Sequence, residues 1–248
     1  MLKELLSIFK GDSKLDEAYR QSYEMLDIAH DMFTESRRSL REAEGIDLGA
    51  DIAKRDKAIN KYERDVRKFV VQHLAVTGTE HMMGGLILVS VIVDIERLGD
   101  YAKNVVELAA NHPEKLNGGD HEADLKRVED AVEDTFTRMR NILRNSDHDE
   151  AENLLRDYLW VNSLCDRRVI DYIRDSEADI PVGTAVALAL YFRYLKRINA
   201  HLQNIATSVC NPYHRIGFLP KDLKKELKAA RKAQNPDDPS TTEPDDLD

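Results

Sequence analysis

The chain has 248 residues, with 36 Lys and Arg against 46 Asp and Glu and a formal charge of −10, which excludes general affinity for a phosphate backbone. Six of the acids, Asp237, Asp238, Glu243, Asp245, Asp246 and Asp248, fall with no base in the last fourteen residues, so the rest of the chain carries only −4. Two distant cysteines, Cys165 and Cys210, suit a reducing compartment better than a disulfide framework.

The length accommodates one large domain or two of about 120 residues. Met1–Lys10 has neither the long apolar centre nor the small-residue cleavage site of a secretory signal. The longest uncharged apolar stretch, Met82–Val93, is about half of what spans a bilayer. A soluble protein of the cytoplasmic type is expected.

Residues 1–13 are read as an N-terminal extension. Leu2, Leu5, Leu6 and Phe9 form one side of a short helical stretch flanked by Lys3 and Lys10. It is expected to pack back on the body of the protein, with a membrane or a partner as the other surfaces it suits.

From Lys14 onward, apolar residues recur at three- and four-residue spacing. Leu15, Ala18, Tyr19, Tyr23, Leu26, Ala29 and Phe33 form one such series, and Val128, Ala131, Val132, Phe136, Met139 and Leu143 another. That is helical periodicity, and strand alternation is absent, so the fold class is all-α. Breakers place six long helices at about 14–43, 49–75, 80–111, 121–144, 149–175 and 181–210. Short joints make neighbouring helices antiparallel, which gives bundles. Pro220–Ala233 is basic and reads as a further short helix, taken with Gln234 as a segment 220–234. Residues 235–248 offer almost nothing to bury and read as a disordered acidic tail.

The longest connection, His112–Asp120, divides the six helices into two sets of three, 14–112 and 120–210. An internal repeat is expected there. At an offset of one hundred residues Arg97 meets Arg197 and Asn104 meets Asn204. Ile95/Leu195, Leu98/Ile198 and Val105/Ile205 are similar. Two pseudo-symmetric antiparallel three-helix bundles follow as the expected architecture.

The third helix carries the most chemistry. At 100° per residue, Gly85, Val89, Ile92, Glu96, Asp100 and Glu107 fall within about 40° of one line. The adjoining face, Leu88, Val91, Ile95, Leu98, Ala102 and Val105, is apolar throughout and should point into the bundle. Glu96 and Asp100, four residues apart, repel by a few tenths of a kcal/mol, and a hard cation between them would turn that repulsion into a site. The competing reading is a face that simply turns to solvent below Ile92. On the second helix Asp56, Asn60 and Glu63 lie within about 60° of each other. Antiparallel packing would bring them to the depth of Glu96 and Asp100.

Other chemistries weaken on inspection. The sequence has no Glu-x-x-His, Cys-x-x-Cys, His-Glu-x-x-His, P-loop or Gly-x-Gly-x-x-Gly. His73 reads as a hydrogen-bonded core residue, and the cysteines as small apolar ones. No nucleophile with an oriented base can be assembled, so no catalytic residue is assigned.

Asp94–Glu107 (DIERLGDYAKNVVE) closely resembles the signature helix of the PhoU family of phosphate-transport regulators. Arg55–Glu63 (RDKAINKYE) resembles the helix that precedes it in that family. The resemblance extends over about residues 14–210 and includes the layout of two three-helix halves. It implies a non-enzymatic regulator that lowers phosphate uptake and phosphate-starvation signalling. Such a protein contacts an ABC-type phosphate transporter and a membrane sensor kinase, reaching the membrane peripherally through them, and a homodimer is compatible with it. It also implies metal ions, with iron, zinc, manganese and magnesium all open, held by Glu96 and Asp100 with Asp56, Asn60 and Glu63 behind them. Asp94 and Asn104 belong to the motif without an assigned ligand role. Gly99, unfavourable inside a helix by about 1 kcal/mol, is expected to admit a close neighbour.

The second half departs from the motif. Lys196 and Ala200 stand where the acidic pair would recur, and Asn199 takes the glycine's place. Asp166 is loosely aligned with Asp56. One metal site or cluster per chain is therefore expected, in the first half and not the second, where Lys196 reads either as an ammonium in a cation's place or as a solvated lysine. Two other functions remain open from sequence: an accessory subunit of an ion-coupled transporter, and, far less favoured, a metal-dependent hydrolase.

Overall fold

The computed structural model describes residues 14–42, 49–112, 114–174 and 180–234. The N-terminal extension, the acidic tail, and the joints expected at 45–47 and 177–179 lie outside them. Among the described residues there are seven α-helices, two short 3-10 turns and no strand. The helices are α1 (Lys14–Arg41), α2 (Gly49–Thr77), α3 (Met82–Asn111), α4 (Glu122–Asn145), α5 (His148–Ile173), α6 (Val182–Cys210) and α7 (Lys221–Gln234). The first six end within two residues of the limits read from sequence, and α7 is the expected basic helix.

The α4–α5 joint shows why those limits were readable. Ser146 closes α4 in the left-handed region (φ 48°), its N–H bonded to the Ile142 carbonyl. The next residue, Asp147, caps α5 by accepting the Glu150 N–H at 3.1 Å. Turn chemistry that was legible as letters is thus present as hydrogen bonds.

Helices α1, α2 and α3 pack on one another, and so do α4, α5 and α6; α3 lies against α6 and α1 against α4. The predicted inward face of α3, Leu88, Val91, Ile95, Leu98, Ala102 and Val105, is buried throughout. The α4 series Val128, Ala131, Val132, Phe136, Met139 and Leu143 is buried as well. His73 is a core histidine, its Nε2 lying 2.7 Å from His81 Nδ1. Cys165 is buried and free, and desolvation pushes its thiol up to about 12, so it stays neutral as packing material.

The seam between α3 and α6 gives Asp94 its role. Its Oδ1 lies 2.7 Å from His201 Nδ1 and accepts a 3.2 Å hydrogen bond from the Asn204 side-chain amide. Further along, Arg197 Nε donates to the Tyr101 hydroxyl at 3.1 Å. This polar pairing fastens the two halves antiparallel across an otherwise apolar contact. Asp94 is thus a structural acid.

Helix α5 bends at Tyr158 (φ −118°, ψ 16°). The Gln203 amide donates to the Tyr158 carbonyl at 3.2 Å. A side chain inserted at a helix carbonyl is a recognised cause of a kink, and no Gly or Pro marks it in the sequence. Helix α7 is held on by Leu223, 1% exposed, and by the Arg156–Glu226 ion pair at 3.0 Å.

Candidate functional site

Two glycines on α3 set how close α2 can come. A Cβ on Gly99 would lie 2.9 Å from Ile59 Cδ1, and one on Gly85 would lie 2.9 Å from Val70 Cγ1. The expectation that Gly99 admits a close neighbour holds, and the neighbour is α2. Because the helices run antiparallel, residues of α2 and α3 face each other when their numbers sum to about 158. Gly99 meets Ile59, Lys103 meets Asp56, and Glu96 falls level with Glu63.

That register collects four acids on one seam. The side chains of Glu63, Glu96, Asp56 and Asp100 retain 14%, 17%, 18% and 30% of their exposure, so all four are half-buried or more. Burial is the first cause that holds the Glu96 carboxyl above the usual carboxylate range. The charge of Asp100 follows; Arg97 opposes it, and Glu63 and Asp56 add to it. The face therefore does not turn to solvent at Ile92. It turns outward only lower down, where Glu107 is exposed.

Cations already serve this cluster. Lys103 Nζ lies 3.4 Å from both Asp56 Oδ1 and Asp100 Oδ1. Arg97 is 3.2 Å from Asp100 and 3.6 Å from Glu96, and Arg67 donates to Glu63 at 2.6 Å. Asn60 is half-buried on the same stretch of α2, with no hydrogen bond tying it to the acids among the described residues. The donors are all oxygen, the chemistry a hard cation takes. Among the described residues, however, no three His, Cys, Asp or Glu side chains already stand as a metal shell. The acids are gathered, and an ammonium is shared between two of them.

The corresponding place in the second half is built differently. Lys196 Nζ contacts both oxygens of Asp166, at 2.6 and 2.5 Å. The buried Asn199 donates to Asn162 Oδ1 at 3.0 Å, and Asn162 donates to Gln203 at 3.0 Å. Lys196 stands at the position of Glu96 and Asn199 at that of Gly99. Asp166 therefore answers to Glu63, Asn162 to Ile59 and Leu159 to Asp56. The loose alignment of Asp166 with Asp56 is corrected by this register. Sequence could not fix it, because the two helical hairpins differ by three residues in offset.

Sequence reasoning missed a second polar region, at the junction of α1 and α4. Arg41 bonds the Leu116 carbonyl and Glu122, and its Nε lies 3.0 Å from Glu129. Glu129 is 3% exposed and accepts the hydroxyl hydrogen bond of the fully buried Tyr191 at 2.8 Å. Nearby, His30 Nε2 lies 2.6 Å from Glu133, and Thr34 also donates to that carboxylate. Contacts between residues 62 to 103 positions apart leave no periodic signal in a single sequence.

The profile of the PhoU domain family matches residues 22–109, which contain every acid of the α2–α3 seam. The fold is similar to the crystal structure of PhoU from Pseudomonas aeruginosa, with a TM-score of 0.68 at 19% identity over 79% of this chain and 95% of that one. It is similarly close to the phosphate transport system regulatory protein PhoU from Streptococcus pneumoniae, with a TM-score of 0.67 at 12% identity over 79% and 92%. No curated protein matches by sequence closely enough to count as a relative. Residues 22–109, signature helix included, thus match the PhoU domain family, and the six-helix core has the fold of PhoU proteins.

Proposed function

We propose that the protein is a non-enzymatic regulator of phosphate transport. It would act in the cytoplasm, through contact with an ABC-type phosphate transporter and a membrane sensor kinase, to lower phosphate uptake and starvation signalling. The observation that carries this reading is the PhoU domain over residues 22–109, signature helix included. The likeness of the fold to a phosphate transport system regulatory protein supports it. Among the described residues no helix is long and apolar enough to cross a membrane, which agrees with recruitment through partners. Deleting the gene should raise phosphate uptake in phosphate-replete cells, and the wild-type gene should restore it. Capture of a transporter subunit and of the kinase from crosslinked cells should accompany this. Unchanged uptake in the deletion overturns the reading, and capture of an ion-coupled permease in place of the ABC transporter redirects it.

The carboxylate seam is the proposed metal site of this regulator, at Glu96 and Asp100 with Asp56, Asn60 and Glu63 behind them. Glu96 is the acid a cation would relieve most, since burial and three neighbouring carboxylates all oppose its charge. Iron, zinc, manganese and magnesium all remain eligible for an oxygen-rich set. A bound cation would neutralise the seam and tie α2 to α3. It would also take over the charge that Lys103 now supplies to Asp56 and Asp100. Metal analysis of the purified protein beside Glu96→Ala/Asp100→Ala tests this. One site per chain, lost in the double variant, is expected. Unchanged metal content moves the site elsewhere.

A further inference from the structure

The α1–α4 junction borders a cleft of about 510 Å³, open to solvent and lined by mainly polar side chains of the C-terminal end of α1, of α4 and of the α3–α4 connection. That volume is in the range of small-molecule sites. Acidic and basic side chains line it in equal number, so bulk charge does not say what it holds. The hydrogen bonds decide.

The inner acids are already satisfied. Glu122 accepts from Arg41 and from the Gly118 N–H, and Glu129 accepts from Tyr191 with Arg41 beside it. The other two acids of the lining are exposed on the rim. The bases are not all satisfied. Among the described residues Arg37 makes no ion pair, and its Nε is buried with no hydrogen-bond acceptor. Arg37 is half-buried and its charge acts on the Glu129 and Glu133 carboxylates, but the Nε donor itself is unmet, a cost carried by a residue that lines a cleft. Lys115, across the cleft, is also without an acidic partner among the described residues and is exposed. Lys126 lies 3.5 Å from Glu122 and is free to swing.

We propose that this cleft is a binding site for a small, multiply charged oxyanion. Arg37 supplies the half-buried anchor, and Lys115 and Lys126 supply charge at the mouth. A guanidinium presents planar paired donors suited to a phosphate or carboxylate group. The cleft has room for such a group with an organic body attached. The Arg41–Glu129–Tyr191 chain runs from the cleft to the centre of α6, so an occupant would bear on the packing of the second half. The site shares no residue with the α2–α3 acids, and it stands or falls separately from the transport reading.

Calorimetric titration of the full chain with pyrophosphate, glucose 6-phosphate and citrate tests it, with chloride at equal ionic strength as control. Saturable binding at one site per chain to at least one of these is expected, and the three probes separate phosphate from carboxylate recognition. Arg37→Met should weaken that binding by about tenfold to a hundredfold, the loss of a hydrogen bond to a charged group. Because Arg37 also favours the charges of Glu129 and Glu133, circular dichroism of the variant checks that it remains folded at the titration temperature. Lys115→Gln, which touches nothing in the core, should weaken binding by a smaller factor. Absence of saturable binding to all three probes overturns the proposal. So does binding that survives Arg37→Met and Lys115→Gln unchanged.

Discussion

The α2–α3 seam and the α5–α6 seam are the same piece of architecture carrying opposite chemistry. In the first, a glycine at position 99 lets Ile59 come within 2.9 Å of where a Cβ would be, and around it four carboxylates face three cations, Lys103, Arg97 and Arg67. In the second, Asn199 occupies the glycine's place and meets Asn162, and the only acid left on the seam, Asp166, is held by Lys196. One seam has carboxylates in excess and borrows an ammonium. The other has no surplus of acid, since Lys196 and Arg193 both pair with Asp166, and it is closed by amide hydrogen bonds. The difference teaches that two seams of like topology can be filled by two means, a missing side chain or a matched pair of amides. Only the first leaves an acidic site behind.

The sharpest way to break that comparison is to exchange the residues. Gly99→Asn puts an amide against Ile59, where no polar partner waits and the space is already filled. Overpacking and an unsatisfied buried amide together should cost about 3 kcal/mol, read by chemical unfolding. A loss below about 1 kcal/mol would mean that the two seams tolerate each other's residues. Asn199→Ala removes the donor to Asn162 and should cost about 1–2 kcal/mol. Asn199 Oδ1 is itself buried without a partner, which limits the loss. Lys196→Met tests the internal charge balance. Asp166 keeps 45% of its side-chain exposure, so the loss should be at most about 1 kcal/mol and should shrink further in high salt.

The same seams show what a sequence can and cannot reveal. Helix limits, the inward face of α3 and the hundred-residue offset between Glu96 and Lys196 were legible because each is written in local spacing or turn residues. The meeting of Glu96 with Glu63 followed from equal distances to the joint between α2 and α3. The match of Asp166 was misjudged because it depends on register across a hairpin, which spacing within one helix does not contain. The Tyr158 kink and the Arg41–Glu129–Tyr191 chain were invisible for a related reason. Each depends on a side chain from a distant helix reaching a particular carbonyl or carboxylate. Arg37 gave no signal at all, since an unpartnered guanidinium looks like any other arginine until its surroundings are known.

The smallest expected effect has the opposite sign and bears directly on the carboxylate seam. Glu96 holds its proton more tightly in the folded protein than in the unfolded chain, because burial and then Asp100 disfavour its charge. An acid with a raised folded pKa subtracts stability as pH climbs from the unfolded value through the folded one, and the full cost is present at neutral pH. Glu96→Gln removes that charge and keeps the shape. In protein stripped of metal with a chelator, the variant should therefore be slightly more stable at pH 7, by less than about 1 kcal/mol. The gap should close as pH falls below the unfolded glutamate value, where wild-type Glu96 is protonated in both states. Adding a divalent cation that the seam binds should reverse the order at pH 7, since the folded wild type alone gains from the ligand. Thermal unfolding of both proteins, with and without chelator at the two pH values, reads all of this. A metal-free Glu96→Gln that is less stable at pH 7 would show that Arg97 already compensates the acid. The first seam would then be as balanced as the second, and its surplus of carboxylates would hold no unmet demand for a cation.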